Sequence, residues 1–202
     1  MPRVAGQIDL SKTEAILDAA VDVMAERGPQ APMEEIARRA GVSKQTIYNH
    51  YGSKAELARA MAERRAHQVV ETLAAPGAVE RPEEALAAYA RVLLNSVVNV
   101  RSMAIYRMAM AATATMPEVA RAIYEAGPRA SRRSLADFLR VENAAGRLSC
   151  PDPLQAAEFF GGMVLGRYQT AALLGAQIEL TDDEVEAVAQ EAAARFMRAY
   201  AV

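Results

Sequence analysis

The chain is predicted to be all-α, built in two parts joined by a long helix, and three observations carry that prediction. Apolar residues recur three and four apart, and no segment alternates apolar with polar residues as a half-buried strand would. Helix starts and stops are regularly marked, with capping-box or Pro-containing starts at Ser11, Ser53, Asp152 and Thr181 and glycine stops at Gly28, Gly41, Gly52, Gly146 and Gly175. The 202 residues, rich in alanine and 52% hydrophobic, are enough to bury one large or two modest helical cores, and they are neither disordered nor fibrous in character.

Taken in order, the first ten residues show no period and contain Pro2 and Gly6, so a loose arm is expected there, with Arg3 as a basic side chain able to reach a phosphate. Ser11-Lys-Thr-Glu14 is a capping box and starts a helix whose buried stripe is Ile16, Leu17, Ala20, Val23 and Met24; Gly28-Pro29 ends it. Pro32 suits the first turn of the next helix, where Met33, Ile36, Ala37 and Ala40 form one apolar stripe. Gly41 stops that helix because glycine tolerates the left-handed conformation, Val42 plugs the bend, and Ser43 is a good N-cap for the next helix. The segment Lys44 to His50 is short and polar, with Ile47 its one clear core anchor. Helical stability comes mainly from packing an apolar face, so a helix this polar is there to be displayed. Gly52 closes it. Ser53-Lys-Ala-Glu56 is a second capping box, opening a long helix that runs to about Leu73; Ala74-Ala-Pro-Gly77 ends it, and residues 79–82 form a linker.

Every later element also reads as helix. One runs from Glu83 to about Asn99, and another from Met103 to Ala114 is apolar on two faces and so expected to be central. Thr115-Met-Pro-Glu118 opens the next, which runs to Gly146 with Gly127-Pro128 as the place for a break. Asp152-Pro-Leu-Gln155 opens a helix ending near Gly175, and Thr181-Asp-Asp-Glu184 caps the last.

Charge is unevenly distributed. Between Ile36 and Arg65, seven basic residues (Arg38, Arg39, Lys44, Lys54, Arg59, Arg64, Arg65) stand against two acids, Glu56 and Glu63. The segment ahead of it is acidic, carrying Asp9, Glu14, Asp18, Asp22, Glu26, Glu34 and Glu35 against Lys12 and Arg27. The formal charge of −2 therefore hides a basic region on an acidic body, an electrostatic footprint for a polyanion. Gln45 and Asn49 can read adenine edges, Thr46 can meet a thymine methyl, and Lys44, Tyr48 and His50 can hold phosphates. Lys54, in the first turn of the long helix, can join the free amides there in holding another. Residues 32–51 thus read as a helix-turn-helix that places Ser43 to His50 in the major groove of double-stranded DNA.

At these residues a resemblance becomes specific. The string from Ser11 to Leu57, with ILDAAVDVMAERG and then EIARRAGVSKQTIYNHYGSKAEL, resembles the DNA-binding domain of the TetR family of bacterial transcriptional regulators over roughly the first third of the chain. The resemblance implies a three-helix DNA-binding domain at 9–69, joined by a long helix to a helical effector-binding and dimerisation domain at 82–202. It also implies DNA-backbone or base-edge contacts at Thr46, Tyr48, His50 and Lys54, and operator-dependent positions at Lys44, Gln45 and Asn49. Two residues depart from the pattern. Pro32 stands where the family usually has a capping, phosphate-touching Ser or Thr, and Tyr51 replaces the usual Phe. Further on, MAIYRMAMA, MPEVARAIYEAGPRA, LADFL and AAGRL are similar to the AefR-like type of C-terminal domain. By the same resemblance, an effector pocket is expected among Met103, Tyr106, Arg107, Met110, Phe138, Phe159, Met163 and Tyr168, with methionines adapting to varied shapes. A dimer interface is expected on the last two helices at Phe160, Val164, Val185, Val188, Ala192 and Phe196, with Gly161, Gly162 and Gly166 allowing close approach.

Other classes are disfavoured. No apolar run reaches the ~18 residues of a membrane span and the N-terminus lacks a signal-peptide core, so a cytoplasmic protein without a membrane partner is expected. Cys150 alone excludes an internal disulfide, and His50 and His67 make no usual metal cluster. Cys150 sits in a Ser-Cys-Pro-Asp-Pro loop without a nearby histidine, so no catalytic residue and no cofactor is assigned. The function expected is a homodimeric repressor released from a palindromic operator by an unknown small-molecule effector that moves the long helix. The alternatives are an activator on the same module, or a DNA-bound adaptor whose helical body binds a protein.

Overall fold

The computed structural model describes residues 10–202, which contain ten α-helices and one π-helical turn joined by loops; Arg3 and the expected arm lie outside them. The helices are α1 (Leu10–Arg27), α2 (Met33–Ala40), α3 (Lys44–Tyr51), α4 (Lys54–Val70), α5 (Pro82–Val98), α6 (Val100–Ala112), α7 (Pro117–Tyr124), α8 (Ala130–Ala144), α9 (Pro153–Leu173) and α10 (Asp182–Tyr200). The π-turn, Glu125–Arg129, lies between α7 and α8 and contains Pro128, whose missing N–H breaks the α-helical hydrogen-bond ladder at the place marked by Gly127-Pro128.

The caps explain the boundaries. Gly41 is left-handed (φ 66°), with its N–H donating to Arg38 O at 3.3 Å and that of Val42 to Ala37 O at 3.0 Å, a Schellman arrangement. Asp152 accepts from the amides of Leu154 and Gln155, and Thr181 with Glu184 completes both halves of a capping box. Two expected caps differ. α1 already includes Ser11, so the serine lies inside the first turn. Ser53 does accept from the Glu56 amide, but the Glu56 carboxylate turns to Arg59.

The chain divides into two compact units, and the division does not follow the linker at 79–82. Among the described residues, one unit comprises residues 10–64 together with Ala104–Gly127; the other comprises Arg65–Met103 and Pro128–Val202. In the first, Ile16, Val23 and Met24 of α1, Ile36 of α2, Ile47 of α3 and Leu57 of α4 form one core with Met108 of α6 and Val119 and Ile123 of α7. Residues of the sequence's second half thus complete the core beneath α3. Within α6, Met103, Met108 and Ala112 are buried, whereas Met110 is 48% exposed.

The second unit packs α5 along α10 and α9, and α8 on α9. Tyr89, Phe160, Phe196 and Tyr200 run through it as successive aromatic contacts with centroids 6.2, 5.3 and 4.7 Å apart. Tyr89 Oη lies 2.8 Å from Ser131 Oγ and donates to the Ser131 carbonyl, so the buried hydroxyls satisfy each other. Glu142 is fully buried and accepts from Arg147 at 2.6 and 3.2 Å. A carboxylate held out of water needs such a partner. Asn143 holds both the N–H and the carbonyl of Cys150, whose thiol is buried and pushed up in pKa by that burial.

The packing places several of the expected site residues in the core and others at the surface. Phe160, Val164, Val185, Ala192 and Phe196, expected at a dimer face, form the unit's own core, and Val188 is half-buried against it. Conversely Phe159 (56% exposed) and Met163 (43%), expected in a pocket wall, lie on the outer face of α9. Residues 159/163 and 160/164 are adjacent apolar stripes about 100° apart on one helix, and periodicity alone does not say which turns inward. The other expected pocket residues are divided between the two units, the boundary passing through α6. Met103 and Phe138 are buried and Tyr168 half-buried in the second unit, whereas Tyr106, Arg107 and the exposed Met110 belong to the first. An open groove in the second unit, lined by Arg91 of α5 and Glu186 and Gln190 of α10, includes none of the eight.

Because α6 and α7 help hold the first unit's core, Met108→Ala is expected to lower unfolding stability by ~2–4 kcal/mol. Urea unfolding of the full chain is the check. A change below about 0.5 kcal/mol would show that residues 104–127 are not needed in that core.

Candidate nucleic-acid interface

The surface of α3 is set by one buried residue. Ile47 is fully buried while the other seven residues of the helix stay at least partly exposed. At about 100° per residue, Gln45 and Asn49 lie roughly 160° from Ile47 and form the outermost ridge, with Lys44 and Tyr48 on one flank and Thr46 and His50 on the other. Ser43 begins the helix: its Oγ accepts the Thr46 N–H at 3.0 Å and lies 2.8 Å from Thr46 Oγ1. Gly52 (φ 73°) ends it, with its N–H on Tyr48 O.

Each side chain on this surface has a local partner. On the ridge, Gln45 Nε2 donates to Asn49 Oδ1 at 2.6 Å. Lys44 pairs with Glu34 at the start of α2 and lies over the Tyr48 ring, 5.6 Å from its centroid. The pair's hydrogen bond holds the Glu34 carboxyl below its ordinary range and the lysine above its own, so both are charged at neutral pH. Tyr48 is 37% exposed. His50 meets the Tyr51 ring edge-on at 4.5 Å. Lys54 donates to the Pro29 carbonyl at 3.1 Å, and burial draws its pKa down. An ammonium has three donors, so two remain for an anion. Pro32, at the N-cap of α2, makes no side-chain cap.

The basic excess counted along the chain is much reduced in space. Arg39 forks onto Glu26 at 2.7 and 2.8 Å, Arg64 bridges Glu14 and Asp18 at 2.7 and 2.9 Å, and Arg59 pairs with Glu56. The acids that look separated from the bases in sequence are their partners in the fold. Arg38, 74% exposed and 3.9 Å from Glu35, remains turned outward.

Tyr51 is the residue whose consequence the sequence did not show. Its ring packs on the core as a Phe would, but its hydroxyl is buried without a hydrogen-bond partner, and burial raises its pKa.

A polar helix displayed by one anchor, with a Schellman turn before it, has the geometry of a helix-turn-helix of the kind DNA-binding proteins carry. Two family models match: bacterial regulatory proteins of the tetR family over residues 16–61, and the AefR-like transcriptional repressor C-terminal domain over residues 84–202. The chain belongs to the TetR family, with a C-terminal domain of the AefR-like type. Among curated relatives, it is similar to the HTH-type regulator TtgW of Pseudomonas putida, at 34% identity over 74 residues (36% of this chain, 55% of that protein). It is also similar to the HTH-type repressor Rv3405c of Mycobacterium tuberculosis, at 33% identity over 86 residues (42% and 46%). The chain therefore spans about half the length of these curated relatives. Solved structures match along almost the whole chain. A TetR-family regulator from Mesorhizobium loti superposes with a TM-score of 0.78 at 27% identity, covering 96% of this chain and all (100%) of that one. The flavonoid-responsive regulator FrrA gives 0.72 at 31% identity, covering 94% and 97%. The family boundaries run along the sequence, whereas the packing crosses them at 104–127.

These contacts predict the effect of two substitutions. Glu34→Gln releases Lys44 toward phosphates, so affinity should rise on every duplex and the salt slope steepen by roughly 0.9, read by anisotropy across a salt series. An unchanged slope would mean that Glu34 does not restrain Lys44. Tyr51→Phe removes an unsatisfied buried hydroxyl and should raise stability by about 1 kcal/mol with DNA binding intact, measured by thermal unfolding.

Proposed function

We propose that the protein is a homodimeric, ligand-responsive transcriptional repressor that places α3 of each subunit in the major groove of a palindromic operator. The observation that carries the reading is the placement of Gln45 and Asn49 on the ridge opposite the buried Ile47, flanked by side chains of types that can hold phosphates. A duplex groove offers base edges at its floor and phosphates on both walls, and α3 carries matching groups in that order. Thr46 and His50 serve one wall and Tyr48 the other; Ser43 and Lys54 bring helix N-terminal amides to the phosphates. Repression agrees with the AefR-like repressor model and with the repressor among the relatives.

One α3 reads too few base pairs for useful specificity, and a symmetric pair doubles them. The subunit contact is assigned to the outer face of α9, where Phe159, Gly162, Met163 and Gly166 form an exposed stripe of large apolar and small residues. Five of the six interface residues expected from the sequence are shielded in the core, so this face is proposed in their place. A small-molecule response is supported by the flavonoid-responsive relative. Met103, Phe138 and Tyr168 of the second unit are the side chains assigned to the effector wall. Coupling between effector and DNA is typically worth ~1–3 kcal/mol and needs no catalytic step.

Selection of bound duplexes from a random pool should yield a palindrome whose half-sites are about one helical turn apart. Tyr48→Ala should weaken binding to all duplexes by roughly tenfold without changing the consensus. Phe159→Glu combined with Met163→Glu should give a folded monomer by sedimentation that has lost the palindrome preference. A dimer persisting in that variant would move the interface elsewhere.

A further inference from the structure

Gln45 and Asn49 are exposed, lie one helical turn apart on the outermost ridge of α3, and are joined by the 2.6 Å bond from Gln45 Nε2 to Asn49 Oδ1. An asparagine amide has two nearly equivalent orientations about its terminal torsion, one presenting its oxygen where the other presents its NH2. A donor fixed on one side removes that ambiguity. With Gln45 donating to Oδ1, one lone pair of that oxygen is used, and the second lone pair and both Nδ2 hydrogens remain for a partner.

We propose that Gln45 is a positioning residue that locks the Asn49 amide in the orientation that reads adenine, so that the two side chains act as one reader. The proposal rests on α3 lying in the major groove. Adenine presents there an N6 donor and an N7 acceptor, which the remaining Oδ1 lone pair and an Nδ2 hydrogen match as a bidentate pair. Guanine presents two acceptors, N7 and O6, so the locked amide sets Oδ1 against O6. Cytosine offers the donor without an adjacent acceptor, and thymine offers O4 and a methyl group. Lys44, the nearby donor that would favour guanine, is engaged by Glu34 and lies over Tyr48 on the flank. The other neighbours on α3 are directed elsewhere: Ile47 points inward, and Thr46 is turned to Ser43.

The test uses the full-length protein and its selected operator, with duplexes permuted at the base pair whose preference disappears in Asn49→Ala. The parent should prefer adenine over guanine there by about tenfold or more. Gln45→Ala should lose most of that preference although Asn49 is intact, and Gln45→Ala with Asn49→Ala should match Asn49→Ala alone at that base pair. Gln45→Lys supplies a donor to Oδ1 and should restore the adenine preference, while tightening binding to every duplex through its charge. Gln45→Glu can only accept, draws the Asn49 NH2 toward itself, and should not restore it. Both positions are exposed, and unaltered thermal unfolding in each variant separates this effect from misfolding. A guanine preference in the parent overturns the proposal. So does a Gln45→Ala variant that keeps its adenine preference, or effects of the two substitutions that fall on different base pairs and add. If neither single variant changes base preference anywhere while binding persists, the placement of α3 in the groove fails, and the proposal fails with it.

Discussion

Burial of Ile47 is the contact on which the recognition surface depends. At eight residues, α3 is well below the ~12–15 at which an isolated helix becomes marginally stable in water, and it contributes one fully buried side chain to a core, with the Tyr51 ring partly buried at its end. The cap at Ser43 and the stop at Gly52 fix its ends, and Ile47 fixes its rotation. That rotation decides which residues face outward, so the polar composition of the helix becomes an ordered surface of ridge and flanks. The core receiving Ile47 is built from α1, α2 and α4 together with Met108, Val119 and Ile123. Chain belonging to the AefR-like half of the sequence therefore supports the helix proposed to read DNA, and a change in the packing of α6 or α7 acts on the same core.

Electrostatics in the first unit is a matter of aim more than of total charge. The bridges from Arg39 to Glu26 and from Arg64 to Glu14 and Asp18 are solvent-accessible, and such pairs add little stability each. Their effect is to bind cations to the protein's own acids, so the number of basic residues in the segment overstates the number that can meet phosphates. Lys44 is the informative case. Its charge is kept beside α3 but directed to Glu34 and the Tyr48 ring, which leaves the ridge to neutral amides. Neutral amides read bases by hydrogen-bond pattern, whereas a loose lysine would add affinity for any duplex.

The second unit carries its polar groups in a different manner. The Glu142–Arg147 pair, the Asn143 clamp on Cys150 and the Tyr89–Ser131 bond each satisfy a group withdrawn from water, and the first two pin the turn between α8 and α9. Cys150, held by its backbone and buried, has the surroundings of an inert thiol. On the other side of α9 the contrast is sharp, with Phe159 and Met163 left in solvent beside glycines. One helix thus carries an aromatic core on one face and an exposed apolar stripe on the other.

Local signals determined much of this. The all-α class, the helix order, the glycine stop at Gly41, the caps at Ser43, Asp152 and Thr181, and the break at Gly127-Pro128 were legible because each depends on residues a few positions apart. The helix-turn-helix and its single anchor were legible for the same reason, as was the family. Tertiary structure alone decided what depends on distant partners. The acids of α1 meet the bases of α2 and α4, residues 104–127 pack with the DNA-binding unit, Tyr89 of α5 meets Ser131 of α8, and Tyr51 buries a hydroxyl without a partner. It also decided which of two adjacent stripes on α9 faces inward. Helical periodicity reports that a face is apolar, but only the neighbouring helices select the phase that is buried.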